Sequence, residues 1–212
     1  MGKPFFSVIV PAHNSQKYVG KCLYSVKRQT FTDYELIVVC DACTDKTEKA
    51  ARYYGADKVI ETDFGMDGLA RNAGIDAAEG EWVLFLDDDD WWIHEYVLQE
   101  LHRAAVQAGP FVDVLCFDFI WKDPPEGQPA YFRNEAGAVN IAVWSKAFRR
   151  ELIGETRFPP IRMTSDVGFM QKIVEKHPRC YATHMLAYYY NFMRKGSQTE
   201  LYERKSREGK DD

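Results

Sequence analysis

The chain has 212 residues, a formal net charge of −5 at pH 7, and 46% hydrophobic and 28% charged residues. That is enough for one sizeable core, and the acidic balance argues against nucleic acid, whose binders carry a basic surface. No uncharged apolar run approaches a membrane span, and Met1-Gly2-Lys3-Pro4 enters a strand without a signal-peptide core, so a cytoplasmic location is expected.

Residues 5–108 alternate strand and helix, the pattern of a parallel sheet with crossover helices. Strands are expected at 5–11, 35–40, 58–61 and 82–86, and helices at 16–29, 44–55, 68–80 and about 93–108. Thr44 is a plausible cap and Gly55 a stop for the second helix. After Gly109-Pro110 the pattern changes. A strand is expected at 111–121, a turn at 122–127, a strand at 140–144 and a short helix at 145–152. A proline-bearing loop over 154–161, a helix at 166–176 and an aromatic strand at 188–192 follow. One domain is expected over 1–212: a nucleotide half near 1–108, an acceptor half near 109–197 and a polar tail at 198–212.

The fourth strand delivers Asp87-Asp88-Asp89-Asp90 at its C-terminal end, where open parallel sheets bind ligands. Crowded carboxylates raise one another's pKa unless a cation neutralises them. Hard oxygen ligands suit Mg²⁺ or Mn²⁺, which commonly share their coordination with substrate phosphates. The plainer reading, Asp90 capping a helix that begins near Ile93, accounts for one acid and not for four.

Strand one ends in Pro11-Ala12-His13-Asn14 and strand two at Asp41, so these ends converge on the acids. Asp41 reads either as an acceptor for a base N–H or ribose hydroxyl, or as a turn residue. His13 and Asn14 carry the same turn alternative. Gly65 and Gly68 open the third helix, a natural anion site, and Arg71 one turn in has the reach to clamp a diphosphate. Asp166 precedes an amphipathic helix, as an N-cap or as a general base facing the cleft. Trp91, Trp92, Trp121 and Trp144 read as packing residues or as platforms for sugar rings. Cys40 and Cys43 form a C-x-x-C, but Asp41 between them opposes thiolate formation, so two small residues in a turn are favoured over a redox dithiol.

Several segments together resemble the inverting glycosyltransferase family 2. Residues Ser7 to Asn14 resemble its opening strand and nucleotide loop, and Cys40-Asp41-Ala42-Cys43-Thr44-Asp45 stands at its D-D-G-S-T-D. Ala70-Arg71-Asn72-Ala73-Gly74-Ile75 is similar to A-R-N-x-G-I, and Phe85 to Trp92 to F-L-D-x-D-D-x-W. Lys146 to Arg150 resembles K-L-F-R-R, and Ser165-Asp166 its E-D pair. The resemblance implies the GT-A fold, a Rossmann-like α/β architecture with an open, mostly parallel twisted sheet and helices on both faces. It implies a nucleoside-diphosphate sugar donor, UDP-linked, and a glycan or lipid-linked glycan acceptor, with peripheral membrane association and a role in bacterial surface polysaccharide. By the same resemblance Pro11, Ala12, His13 and Asn14 form the nucleotide loop, Asp41 binds uracil, Arg71 and Asp88 contact the nucleotide, and Arg194 closes over the diphosphate. Asp89, helped by Asp87, holds Mn²⁺ or Mg²⁺, and Asp166 is the base. Cys40, Ala42, Cys43 and Ser165 depart from the pattern, as does one missing arginine near Arg194. These departures motivate the alternative of a catalytically silent nucleotide-sugar-binding protein. A sugar-nucleotide pyrophosphorylase would show a G-x-G-T-R-rich first loop, which Pro11-Ala12-His13-Asn14 is not.

Overall fold

The computed structural model describes residues 2–121, 130–134 and 141–191. Strands β1 (Phe6–Ala12), β2 (Tyr34–Asp41), β3 (Lys58–Thr62) and β4 (Trp82–Phe85) pair in parallel in the order β3-β2-β1-β4. Side chains alternate across a strand, and both faces here are buried. Val8, Val10, Leu36, Val38 and Leu84 therefore face one core, and Ile9, Ile37, Val39, Val83 and Phe85 face the other. Helices α1 (Val19–Lys27), α2 (Thr47–Tyr53) and α4 (Val97–Ala108) cover the first face. Helices α3 (Asp67–Ala77), α5 (Arg150–Ile153) and α6 (Ser165–Val174) cover the second. This is a three-layer α/β sandwich with its parallel half as expected from the pattern.

Beyond β4 the sheet becomes mixed. Its remaining strands are β5 (Trp91–Trp92), β6 (Val114–Trp121), β7 (Ala130–Phe132), β8 (Lys146–Arg149) and β9 (Cys180–Tyr190), running β4-β8-β6-β9-β5 with β7 on β6. Here the sequence expectations need correction. The segment 145–152, expected as a helix, is helical only from Arg150, in α5; residues 146–149 form β8, which lies antiparallel to both β4 and β6 and places Phe148 opposite Val83 and Val114. Burial between two strands overrides the helical preference of Lys-Ala-Phe-Arg-Arg. The expected strand at 140–144 gives way to a 3-10 turn at Val143–Ser145. Helix α4 starts at Val97 because Trp91 and Trp92 pair with Tyr189 and Tyr188, and Ile93 N–H donates to Ala187 O. The expected strand at 188–192 begins eight residues earlier, at Cys180. The expected turn at 122–127 and the polar tail lie outside the described residues.

Close packing explains two glycines. A Cβ on Gly74 would come within 2.3 Å of Ile9 Cγ2, so its absence lets α3 lie against β1. A Cβ on Gly68 would meet Ser165 Cβ at 2.9 Å and Phe158 Cβ at 3.1 Å, so α3 and the start of α6 touch at that point.

Candidate active site

The C-terminal ends of β1, β2 and β4 meet as the topology requires. Pro11 and Ala12 are buried strand residues paired with Val39 and Cys40, and shape the site through the backbone. The chain then turns at Asn14, at a φ of 48°. His13 N–H donates to Asp88 Oδ2 at 3.1 Å, and its Nδ1 lies 2.7 Å from the Asp41 carbonyl. Asn14 Oδ1 accepts from Thr44 N–H at 2.8 Å and Asp45 N–H at 3.2 Å, stitching the first loop to the second. The cap expected at Thr44 is not formed. Helix α2 begins three residues later, where Asp45 Oδ1 accepts the Thr47 N–H at 2.9 Å.

Asp41 ends β2 with its carboxylate turned to the loop before α3. Oδ1 accepts from Thr62 Oγ1 at 2.9 Å and Phe64 N–H at 2.7 Å, and Oδ2 from Met66 N–H at 2.9 Å. This residue shapes the approach to α3.

The four acids divide into separate roles. Asp90 is fully buried and accepts from Tyr188 Oη at 2.6 Å and Asn191 N–H at 2.7 Å, so it caps no helix. Burial, with Asp89 and Asp87 nearby, holds its carboxyl well above the usual range. Asp88 receives the His13 N–H. Asp89 is half-buried, and its carbonyl accepts from Asn191 Nδ2 at 3.4 Å. Asp87 meets Arg71 at 2.8 Å; burial first, and then Asp166 and Asp89, push it up to about 6 against the pull of that arginine.

Arg71 is 4% exposed and lies at the centre of the site. Its Nη1 reaches Asp67 at 2.5 Å and Asp166 at 3.4 Å, while Nη2 holds Asp87. The guanidinium bridges carboxylates, and a diphosphate contact would be additional to that role. Three carboxylates share one cation, leaving a surplus of negative charge.

Asp166 sits one residue inside α6, whose N-cap position is Thr164 at a φ of 62°. Its carboxylate accepts the Val143 N–H, and burial raises its pKa despite the opposing pull of Arg71. Lys146 is buried nearby, donates to Ala142 O at 2.7 Å, and is brought down by burial to about 8. Trp92 and Trp144 are buried packing residues, and Trp144 stacks on Tyr188 at 4.6 Å. Trp91 stacks on Tyr189 at 4.1 Å, and Lys21 Nζ lies 3.0 Å from its ring centroid. Arg194 lies outside the described residues.

Sequence reasoning missed Asp67, Tyr188, Asn191 and Lys146. Their relevant partners are brought by the fold; only the spacing Asp67–Arg71, an i,i+4 pair on a helix, was available as a signal. Among the described residues, no three acidic, histidine or cysteine side chains are grouped so that they could hold a metal ion by themselves.

The sequence model of glycosyl transferase family 2 matches residues 7–176. The chain belongs to that family. It is 33% identical to the putative teichuronic acid biosynthesis glycosyltransferase TuaG of Bacillus subtilis over 188 residues, covering 82% of this chain and 73% of TuaG. Against the putative glycosyltransferase EpsH of the same organism, identity is 30% over 182 residues, covering 76% of this chain and 52% of EpsH. The structure of S. aureus TarS 1-349 in complex with UDP-GlcNAc superposes with a TM-score of 0.78 at 28% identity, covering 92% of this chain and 60% of that one. The fold of this family-2 chain is accordingly GT-A, as its sequence resemblance implied. The chain spans about half the length of EpsH. No helix among the described residues is long and apolar enough to cross a membrane.

Proposed function

We propose that this family-2 chain transfers a sugar from a UDP-sugar to a glycan hydroxyl in polysaccharide synthesis, with inversion at the anomeric carbon. The observation that carries the reading is the convergence of Asp87, at the end of β4, and Asp166, at the start of α6, on Arg71. The likeness to TarS, whose structure holds UDP-GlcNAc, supports the UDP-sugar. A lipid-linked glycan at the inner face of a membrane is the acceptor class that fits this reading.

A divalent cation suits the donor set. Oxygen ligands favour Mg²⁺ or Mn²⁺, and Asp87, Asp88 and Asp89 stand side by side, each only half-buried, just past the end of β4. Asp89, with Asp87, would hold it. Bound there, it supplies charge neutralisation for the departing diphosphate.

The remaining chemistry belongs to the chain. His13 and Asn14 frame the nucleotide, Asp88 fixes that loop, and Asp41 sets the opposing wall. Asp166 accepts the proton of the acceptor hydroxyl as its oxygen bonds to the anomeric carbon and the bond to the diphosphate oxygen breaks. Entry opposite the leaving group inverts the centre. Arg71 holds Asp166 beside Asp87 and opposes the rise in pKa that burial imposes on it.

Calorimetric titration of UDP, with Mn²⁺ and then with EDTA, tests the reading. Binding in Mn²⁺ that is lost in EDTA is expected. Equal binding in both removes the metal, and no binding in either overturns the UDP donor.

A further inference from the structure

We propose that Cys40 and Cys43 form a thiol–disulfide exchange site: Cys43 attacks a low-molecular-weight disulfide, Cys40 closes an intramolecular bond, and the closed form loses nucleotide. The last clause rests on the donor site proposed above.

The sequence argument against a redox role was the acid between the sulfurs. The fold removes it. Alternation along β2 places Cys40 with Leu36 and Val38 in the core beneath α1, while Asp41 turns to the opposite face and is occupied by the loop at 62–66. Ala42, at a φ of 48°, then turns the chain so that Cys43 packs against the same core as Cys40. Cys40 lies within that core cluster and Cys43 packs against it, so the two thiols share one side of the sheet and act on each other's ionisation.

The two cysteines differ as attacking and resolving thiols must. Cys40 is buried and Cys43 is half-buried, so a small disulfide meets Cys43 first. The Cys40 hydrogen bond, then the Asn14 N–H and the neighbouring His13, outweigh burial and bring Cys43 down to about 6, within the range of reactive thiols. Cys40 is pushed up by the same hydrogen bond and by burial, so it stays protonated until Cys43 is consumed.

The exchange balances with a small disulfide as oxidant. The Cys43 thiolate attacks one of its sulfurs, the S–S bond breaks, and the departing half takes up a proton as a thiol. Cys40 then releases its proton, displaces the half attached to Cys43, and forms the Cys40–Cys43 bond. The protein loses two protons and two electrons while one small disulfide takes them up to become two thiols.

Closure reaches the nucleotide loop directly. The Cys43 thiol donates to Ala12 O at 3.4 Å, and Asn14 Oδ1 accepts from the adjoining Thr44 and Asp45 N–H groups. Drawing Cys43 to an S–S length of about 2 Å from Cys40 pulls it from this junction.

The full chain should be incubated with glutathione disulfide and read by intact mass and peptide mapping, with circular dichroism to confirm the fold. A loss of two hydrogens mapped to Cys40–Cys43 is expected, ahead of reaction at Cys22, Cys116 or Cys180. Cys40→Ser should instead keep a glutathione adduct at Cys43, and Cys43→Ser should form neither product. UDP affinity should fall roughly tenfold on oxidation, the worth of one lost hydrogen bond, and return with dithiothreitol. A folded protein whose two thiols stay reduced, or whose other cysteines react as fast, overturns the exchange site. Unchanged UDP affinity in the oxidised form overturns the coupling. Failure of the reduced protein to bind UDP overturns the donor reading and the coupling with it, while the mass result judges the thiol chemistry by itself.

Discussion

Arg71 Nη1 lies 3.4 Å from Asp166 Oδ1, so a residue of α3 holds the acid at the start of α6 in place, 95 positions along the chain. The same guanidinium grips Asp87 at the end of β4. The geometry couples the acid that would take the proton to the acids that would face the donor. Asp166→Asn retains the shape and removes the base. Turnover of the UDP-sugar should fall by ~10²–10⁴ while UDP affinity stays unchanged. Equal losses in both would make Asp166 a donor-binding residue.

The pH dependence follows from the same carboxyl. Burial raises the pKa of Asp166, and a base acts only when deprotonated. The rate should therefore rise with pH through a limb lying above the ordinary carboxylate range, and Asp166→Asn should abolish that limb. A wild-type profile that is flat down to the ordinary range would remove the base assignment.

Replacing Arg71 by lysine keeps the charge but loses the fork that spans three carboxylates. With the arginine buried, Arg71→Lys should cost about 2 kcal/mol in denaturant unfolding and reduce turnover more than UDP affinity. Wild-type stability in this variant would mean that an ammonium satisfies the cluster equally well.

The parallel half was legible because alternation along β1, β2 and β4 leaves each residue only one face, and both faces are apolar. The positions of Asp41, Arg71 and the β4 acids followed from that. Their partners did not. Asp90 depends on Tyr188, 98 residues away, and no local pattern announces a hydroxyl that will reach it. Lys146 to Arg149 has helix-forming composition and becomes a strand only because β4 and β6 offer two unpaired edges. The direction of Asp41 decided the chemistry of its cysteine neighbours, and that direction required the register of β2 as well as the loop at 62–66.

Glu35 gives a stability prediction away from the site. Burial raises its carboxyl, but hydrogen bonds from Lys58, Ser7 and the Glu79 N–H outweigh that, so the net shift is downward from 4.5. A depressed folded pKa stabilises the protein above the unfolded value and is lost as pH falls through the folded one. Glu35→Gln should thus cost about 1 kcal/mol at pH 7, discounted because Lys58 is one-third exposed, and the difference should shrink below pH 4.5. Urea unfolding of both proteins at pH 7 and pH 3.5 checks it, and a pH-independent difference would assign the effect to packing.

Gly68 links packing to catalysis most directly. Its missing Cβ is where Ser165 and Phe158 approach, at 2.9 and 3.1 Å, and Ser165 immediately precedes Asp166. The obstructing atoms are Cβ atoms, fixed to backbone, so they yield only if the start of α6 moves. Overpacking of this kind costs about 1–3 kcal/mol. Gly68→Ala should therefore destabilise the protein by that amount and lower turnover, because a shifted α6 carries Asp166 away from Arg71. UDP affinity should change less than turnover, since Asp87, Asp88 and the Asn14 loop stand on β4 and β1, outside that movement. Pairing Gly68→Ala with Asp166→Asn supplies the control: if displacement of the base is the cause, the double variant turns over no more slowly than Asp166→Asn alone.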